Sequence, residues 1–131
     1  MDSYAWVELF LGTEKGKKSR RLILEAEQVR TPGVVLAEIS RKYHREKMDL
    51  KTVRSRLETI SSTTIITGVD VKLALRAGAT YLELVEKAKR ERLRTPSLFD
   101  AIVLATAREY DSSLVTGDEH FEGLPETIFL R

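Results

Sequence analysis

The chain has 131 residues, of which 42% are hydrophobic and 32% charged, with a formal net charge of +2. This composition is typical of a soluble protein, and we expect a single domain over residues 1–131. The absence of cysteine and the presence of only two histidines exclude disulfides, iron–sulfur clusters and thiolate zinc sites, so any metal should have oxygen ligands. No secretory signal or membrane span is visible, and we expect a cytoplasmic protein with no membrane partner.

The predicted elements alternate helices with short strands. Apolar residues at helical spacing predict a long helix, or a pair broken near Gly78, over 70–92, and further helices over 4–11, 19–28, 33–47, 49–60 and 97–106. Runs of β-branched and apolar residues bounded by Gly or Pro predict strands over 29–32, 63–69, 112–117 and 127–130. Strands that alternate with helices form parallel sheets covered on both faces, so the pattern predicts an α/β fold.

Basic residues form three clusters, which we call the basic clusters. They are KGKKSRR (15–21), RKYHREK (41–47) and KAKRERLR (87–94), with five, four and five lysines and arginines, or 14 of the 22 in the chain. Such clusters suit a polyanionic partner. Because charged runs are also common on solvated helix faces, the clusters alone leave both interpretations open.

Four acidic residues have local roles that require no ligand. Asp2 can cap the first helix, and Asp100, three residues after a serine, can complete a capping box. Asp118 can begin a turn after a strand. Glu38 can pair with Lys42 one helical turn later. Each acid taken alone is therefore explained by local structure.

The positions of these acids in the predicted fold indicate a shared site. In an open parallel sheet, ligands bind outside the carboxyl ends of the strands, where the following helices begin. Asp2, Glu38, Asp100 and Asp118 should all lie at that edge. Carboxylates this close repel one another unless they are protonated or a cation neutralises them. With oxygen ligands alone, the expected cation is Mg²⁺ or Mn²⁺.

The acids lie in four segments with distinctive sequences. These are DSYAW (2–6), VVLAEI (34–39), SLFDAIVLATA (97–107) and LVTGDEHF (114–121), with successive acids 36, 62 and 18 residues apart. In order and spacing they resemble the motifs of PIN-domain ribonucleases, particularly VapC-type toxins of toxin–antitoxin pairs. The resemblance covers essentially the whole chain. It implies a PIN-like three-layer α/β/α fold with a mostly parallel central sheet.

The resemblance also implies roles for individual residues. The residues that match the catalytic, metal-binding acids are Asp2, Glu38, Asp100 and Asp118, and those that match hydroxyl positions lining the site are Ser3 and Thr116. Glu119 is a further candidate beside the site, but we expect it on the solvated surface. His120 matches no catalytic position and receives no role.

The activity that the resemblance implies is endonucleolytic cleavage of RNA by an activated water, with Mg²⁺ or Mn²⁺ as cofactor. The implied partners are the RNA substrate, a VapB-type antitoxin whose tail covers the acidic groove, and a second copy of the chain in a homodimer. The basic clusters would then contact the RNA backbone, and binding would weaken with salt.

The sequence departs from the family before its first acid. Family members have several apolar residues there, which form the central strand, whereas only Met1 precedes Asp2 in this chain. A parallel sheet without its middle strand leaves unpaired backbone groups on both neighbouring strands. Either the natural start lies upstream of Met1, or the central strand is shortened and Asp2 is held less firmly than in relatives. We expect the first, because of those unpaired groups.

Two other function classes compete with the nuclease. A non-catalytic PIN-like module would use the basic clusters to hold RNA or a protein without cutting it, but binding alone gives no reason to gather repelling carboxylates. A phosphatase of the haloacid dehalogenase type also has an Asp after its first strand. That class needs a second acid two residues later, where this chain has Tyr4. Metal-dependent turnover would separate the nuclease from the binding module.

Overall fold

The computed structural model describes all 131 residues as six α-helices and four short strands. The helices are α1 (Ser3–Leu11), α2 (Glu14–Glu25), α3 (Gly33–Arg45), α4 (Leu50–Thr63), α5 (Val71–Glu91) and α6 (Leu98–Glu109). The strands are β1 (Arg30–Pro32), β2 (Ile65–Thr67), β3 (Leu114–Thr116) and β4 (Thr127–Phe129), and a 3₁₀ turn spans Glu119–Phe121. None of the helices combines the length and the apolar character needed to span a bilayer.

Side chains cap the helices largely where the sequence predicts. Asp2 Oδ1 accepts a hydrogen bond from the Ala5 N–H at 3.0 Å, and Asp49 Oδ2 accepts one from the Thr52 N–H at 3.2 Å. The segment 70–92 forms one helix that continues through Gly78. Burial of one apolar face of α5 outweighs the propensity cost of a helical glycine, which is about 1 kcal/mol.

The second helix begins earlier than its apolar pattern predicts. The prediction was 19–28, whereas α2 starts at Glu14 because the Thr13 hydroxyl accepts a hydrogen bond from the Gly16 N–H at 3.0 Å. A Cβ atom at Gly16 would lie 2.0 Å from the Glu8 carbonyl oxygen, so glycine permits close packing of α1 and α2. The first basic cluster therefore lies on a helix.

The strands pair in parallel, as predicted, but they form two separate sheets. β1 pairs with β2, and β3 pairs with β4. Between the sheets, the Met1 terminal nitrogen donates a hydrogen bond to the Arg30 carbonyl at 2.9 Å, and the Asp2 N–H donates one to the Val115 carbonyl at 3.4 Å. No backbone hydrogen bond joins a strand of one sheet directly to a strand of the other. Two residues thus take the place of a central strand.

The rest of that central position is open. A cavity of about 440 Å³ lies between the facing edges of β1 and β3, with Met1 in its lining. Apolar side chains of α2 and α6 also line it, among them Leu22, Ile23, Val103 and Ala107. The two sheets therefore face each other across this cavity.

The main core connects the helices to the strands. Trp6 is 2% exposed, and its indole N–H donates a hydrogen bond to the Thr31 hydroxyl of β1 at 3.2 Å. Ile39 of α3, Leu104 of α6 and Phe121 of the 3₁₀ turn are buried in the same core. Because these elements share one core, the starts of α1, α3 and α6 are held near the ends of β1 and β3.

Candidate metal centre

Asp2 is held at the start of α1 by hydrogen bonds to both carboxylate oxygens. Oδ1 accepts from the Ala5 N–H, and Oδ2 accepts from the Thr116 hydroxyl of β3. Asp2 is only 5% exposed, and this burial raises its pKa to about 6, although the hydrogen bond from Thr116 lowers it. The structure therefore places Thr116, one of the predicted site residues, directly against Asp2.

Asp118 lies just after β3 in a turn closed by its own side chain. Its N–H donates to Thr116 Oγ1 at 2.9 Å, and its Oδ1 accepts from the His120 N–H at 2.9 Å. Between these residues, a Cβ atom at Gly117 would lie 2.2 Å from a ring carbon of Tyr4. Glycine therefore allows the Tyr4 ring to pack directly against the turn that carries Asp118.

Asp100 completes the predicted capping box and also faces the other acids. The Ser97 N–H donates to Asp100 Oδ2 at 2.8 Å, and the Asp100 N–H donates to Ser97 Oγ at 3.1 Å. Burial raises the pKa of Asp100, the charge of Asp118 raises it further, and the hydrogen bonds from Ser97 oppose the rise. Oδ2 of Asp100 therefore completes the helix cap, whereas Oδ1 accepts no hydrogen bond and can bind a metal ion.

Glu38, on α3, does not make its predicted local ion pair. Lys42 Nζ instead lies 3.3 Å from Glu46 Oε1. Burial raises the pKa of Glu38 to about 7, and the negative charges of the other three acids add to the rise. The local interpretation of Glu38 was therefore wrong, because Lys42 pairs with Glu46 one turn further along the helix.

The four predicted acids lie close enough for their charges to interact. Ligand atoms of Asp100, Asp118 and His120 lie within 4.8 Å of one another, and the charges of Asp2, Asp100 and Asp118 all act on Glu38. Carboxylates that are buried, as at Asp2, or half-buried, as at the other three acids, and that repel one another fit a hard divalent cation such as Mg²⁺ or Mn²⁺. Such a cation would offset the repulsion that raises these pKa values.

His120 belongs to this site although the sequence analysis assigned it no role. Burial lowers the pKa of His120, but hydrogen bonds to the Arg94 carbonyl and to Asp118 outweigh it and raise the pKa overall. The signal in the sequence is the two-residue spacing from Asp118, which lets a side chain in a tight turn reach the acid. Ser3 begins α1 without a side-chain hydrogen bond, and Glu119 is exposed, as expected.

Comparison with known proteins identifies the family. Residues 1–126 match the PIN domain. The chain belongs to the PIN domain family. PIN domains are in general nucleases. No curated protein matches the sequence.

Solved structures show the same PIN fold. A toxin–antitoxin complex from Klebsiella pneumoniae aligns with a TM-score of 0.74 and 22% identity, covering 99% of this chain and 95% of that chain. VapBC2 from Rickettsia felis, bound to a DNA fragment from their promoter, aligns with a TM-score of 0.69 and 18% identity, covering 98% and 93% of the two chains. The predicted family and the PIN-like α/β/α fold are confirmed.

Proposed function

We propose that this PIN domain is a metal-dependent endoribonuclease that hydrolyses RNA phosphodiester bonds. The observation that carries the proposal is the mutual repulsion of Asp2, Glu38, Asp100 and Asp118, with ligand atoms of Asp100 and Asp118 within 4.8 Å of each other and the pKa raised at Asp2, Glu38 and Asp100. Gathering repelling carboxylates opposes folding and gives a pure binding module no advantage. The same arrangement is what a carboxylate-held Mg²⁺ or Mn²⁺ site needs.

In the proposed reaction, the four acids hold the metal ion as a group. A divalent cation bound there would lower the pKa of an attacking water and stabilise charge on the phosphodiester. Asp2 is oriented in advance by its two hydrogen bonds. Glu38, with a pKa of about 7, readily carries a proton when no cation balances the acids. Release of that proton would accompany metal binding near neutral pH.

The basic clusters support RNA as the substrate because two of them have a cationic side chain near the acids. Lys15 donates a hydrogen bond, at 3.0 Å, to the hydroxyl of the tyrosine that packs against the Asp118 turn. Arg41 lies near enough to Glu38 to lower its pKa. Positive charge around a negative centre suits a phosphate backbone with one phosphate at the metal ion.

The proposal includes a VapC-type role in a toxin–antitoxin pair. The two similar solved structures, one a toxin–antitoxin complex and the other VapBC2, support this assignment. The partner would be a VapB-type antitoxin that covers the acidic groove, and the toxin would be a cytoplasmic homodimer. Size-exclusion chromatography with light scattering, on the chain alone and with its genomic neighbour, would measure both assemblies.

The test of the nuclease is cleavage of a mixed structured RNA with Mg²⁺, Mn²⁺ or EDTA. Asp100→Asn keeps the shape of the side chain and removes its charge. Asp49→Asn is the matched control because Asp49 also caps a helix but lies outside the cluster. We expect metal-dependent cleavage by the wild type and by Asp49→Asn, and none by Asp100→Asn. RNA that binds but stays intact with either metal would establish the non-catalytic module instead.

A further inference from the structure

His120 lies among the acids with both ring nitrogens already bonded. The side chain is buried, with 7% of the residue exposed. Nδ1 lies 2.8 Å from Asp118 Oδ1, and Nε2 lies 2.7 Å from the Arg94 carbonyl oxygen. A carbonyl oxygen only accepts hydrogen bonds, so Nε2 is the donor to Arg94, while Nδ1 is occupied by the Asp118 carboxylate.

This hydrogen bonding separates His120 from the metal ligands. A ring nitrogen of His120 and carboxylate oxygens of Asp100 and Asp118 lie within 4.8 Å of one another, a spacing that would suit three ligands of one ion. A histidine ligand, however, binds a metal through a nitrogen that carries no hydrogen. At His120, Nε2 carries the hydrogen that it donates to the Arg94 carbonyl, and Nδ1 is occupied by Asp118 Oδ1. The proposed ligands of the metal ion are therefore carboxylate oxygens only, and the His120 imidazole is not one of them.

The two acceptors belong to segments that carry different acids. Asp118 is itself one of the four. Arg94 lies in the connection from α5 to α6, which runs through the buried Pro96 to Ser97, the capping partner of Asp100. The rigid ring of His120 thus spans from one acid to the segment that leads to another.

We propose that His120 is a positioning residue that fixes the Asp118 carboxylate and holds the connection leading to Asp100. The inference rests on the proposed metal site and assigns His120 no bond to the ion. With Asp118 Oδ1 held by His120, the other carboxylate oxygen is left to bind a metal ion. Groups that orient metal ligands from behind typically change metal affinity about 10–100-fold when they are removed.

The experiment measures Mn²⁺ affinity by electron paramagnetic resonance, with calorimetry as a second measurement. The variants are His120→Ala and His120→Gln, and the matched control is His44→Ala, which removes the other histidine, an exposed one on α3. We expect affinity to fall about 10–100-fold in His120→Ala, to recover in part in His120→Gln, which keeps one donor, and to stay unchanged in His44→Ala. Thermal unfolding shows that each variant folds.

Spin-echo spectra of bound Mn²⁺ distinguish positioning from ligation. We expect no signal from a directly bonded imidazole nitrogen in the wild type. A directly bonded nitrogen, or equal Mn²⁺ affinity in the wild type and both His120 variants, would overturn the inference. A wild type that binds no Mn²⁺ would overturn the proposed metal site itself, which is a different result.

Discussion

The Thr116 hydroxyl donates a hydrogen bond to Asp2 Oδ2, which connects residues 114 positions apart in the chain. The Thr116 hydroxyl oxygen itself accepts a hydrogen bond from the Asp118 N–H at 2.9 Å. One hydroxyl therefore sets the relative positions of two acids that come from opposite ends of the chain. Its removal tests how the site depends on that arrangement.

Thr116→Val should move the acidic limb of the pH–activity profile to higher pH. The hydrogen bond from Thr116 lowers the pKa of Asp2, so its loss should raise that pKa above its present value of about 6. Because the ionised form of Asp2 binds a cation, activity should then begin at higher pH. Thr106→Val is the control, since it removes a buried hydroxyl that bonds the Ile102 carbonyl away from the acids. Identical acidic limbs in wild type and Thr116→Val would contradict the prediction.

Glu38→Gln should stabilise the metal-free protein at alkaline pH. Burial and the other acids raise the pKa of folded Glu38 from 4.5 to about 7, so its protonated form favours folding. That contribution is complete below the unfolded value and disappears as the pH rises through the folded value. The neutral variant should therefore exceed the wild type by about 1–3 kcal/mol at about pH 8, with the difference fading at about pH 4.

Urea unfolding in EDTA at both pH values measures the effect of Glu38→Gln. Glu46→Gln is the control because Glu46 is an exposed acid at the end of the same helix. A difference in unfolding free energy that does not change with pH would count against the raised pKa of Glu38. Saturating Mn²⁺ should reverse the order of stability, because the ionised carboxylate then has a cation to bind.

Ser97→Ala should separate the capping role of Asp100 from its metal-binding role. The substitution removes the N-cap hydroxyl and leaves the Asp100 carboxylate, so it should cost about 1 kcal/mol of stability. Mn²⁺ affinity should change little. Asp100→Asn should show the opposite result, a large loss of affinity with a smaller loss of stability. Equal losses of Mn²⁺ affinity in the two variants, measured by calorimetry, would show that capping and metal binding do not use different oxygens of Asp100.

The gap between β1 and β3 predicts a gain in stability from an added strand. Roughly four or five β-branched residues joined before Met1 would extend the pairing with both edges and fill the apolar cavity. We expect the melting temperature to rise by about 5 °C or more. A Gly/Ser extension of equal length is the control. Equal melting temperatures for the two extensions would show that the gap does not accept a strand.

Much of the local structure was predictable because its causes are local. The caps formed by Asp2, Asp49 and the Ser97–Asp100 pair depend on residues three positions apart, and the helices depend on apolar spacing. The family and its α/β fold were also predictable, because the acids follow one another at characteristic positions relative to the strands and helices. These features need no knowledge of which elements pack together.

The tertiary structure decided the features that depend on distant residues and on burial. His120 bonds to a carbonyl 26 residues away, and the α5–α6 connection had to be placed before that contact could be seen. Burial raises the pKa of Glu38, and the charges of three acids from other parts of the chain raise it further. The split of the sheet depends on how far β1 lies from β3. The sequence by itself therefore determined which acids form the site. Only the packing of the helices decided their pKa values and hydrogen-bond partners, because burial and contacts between distant residues set both.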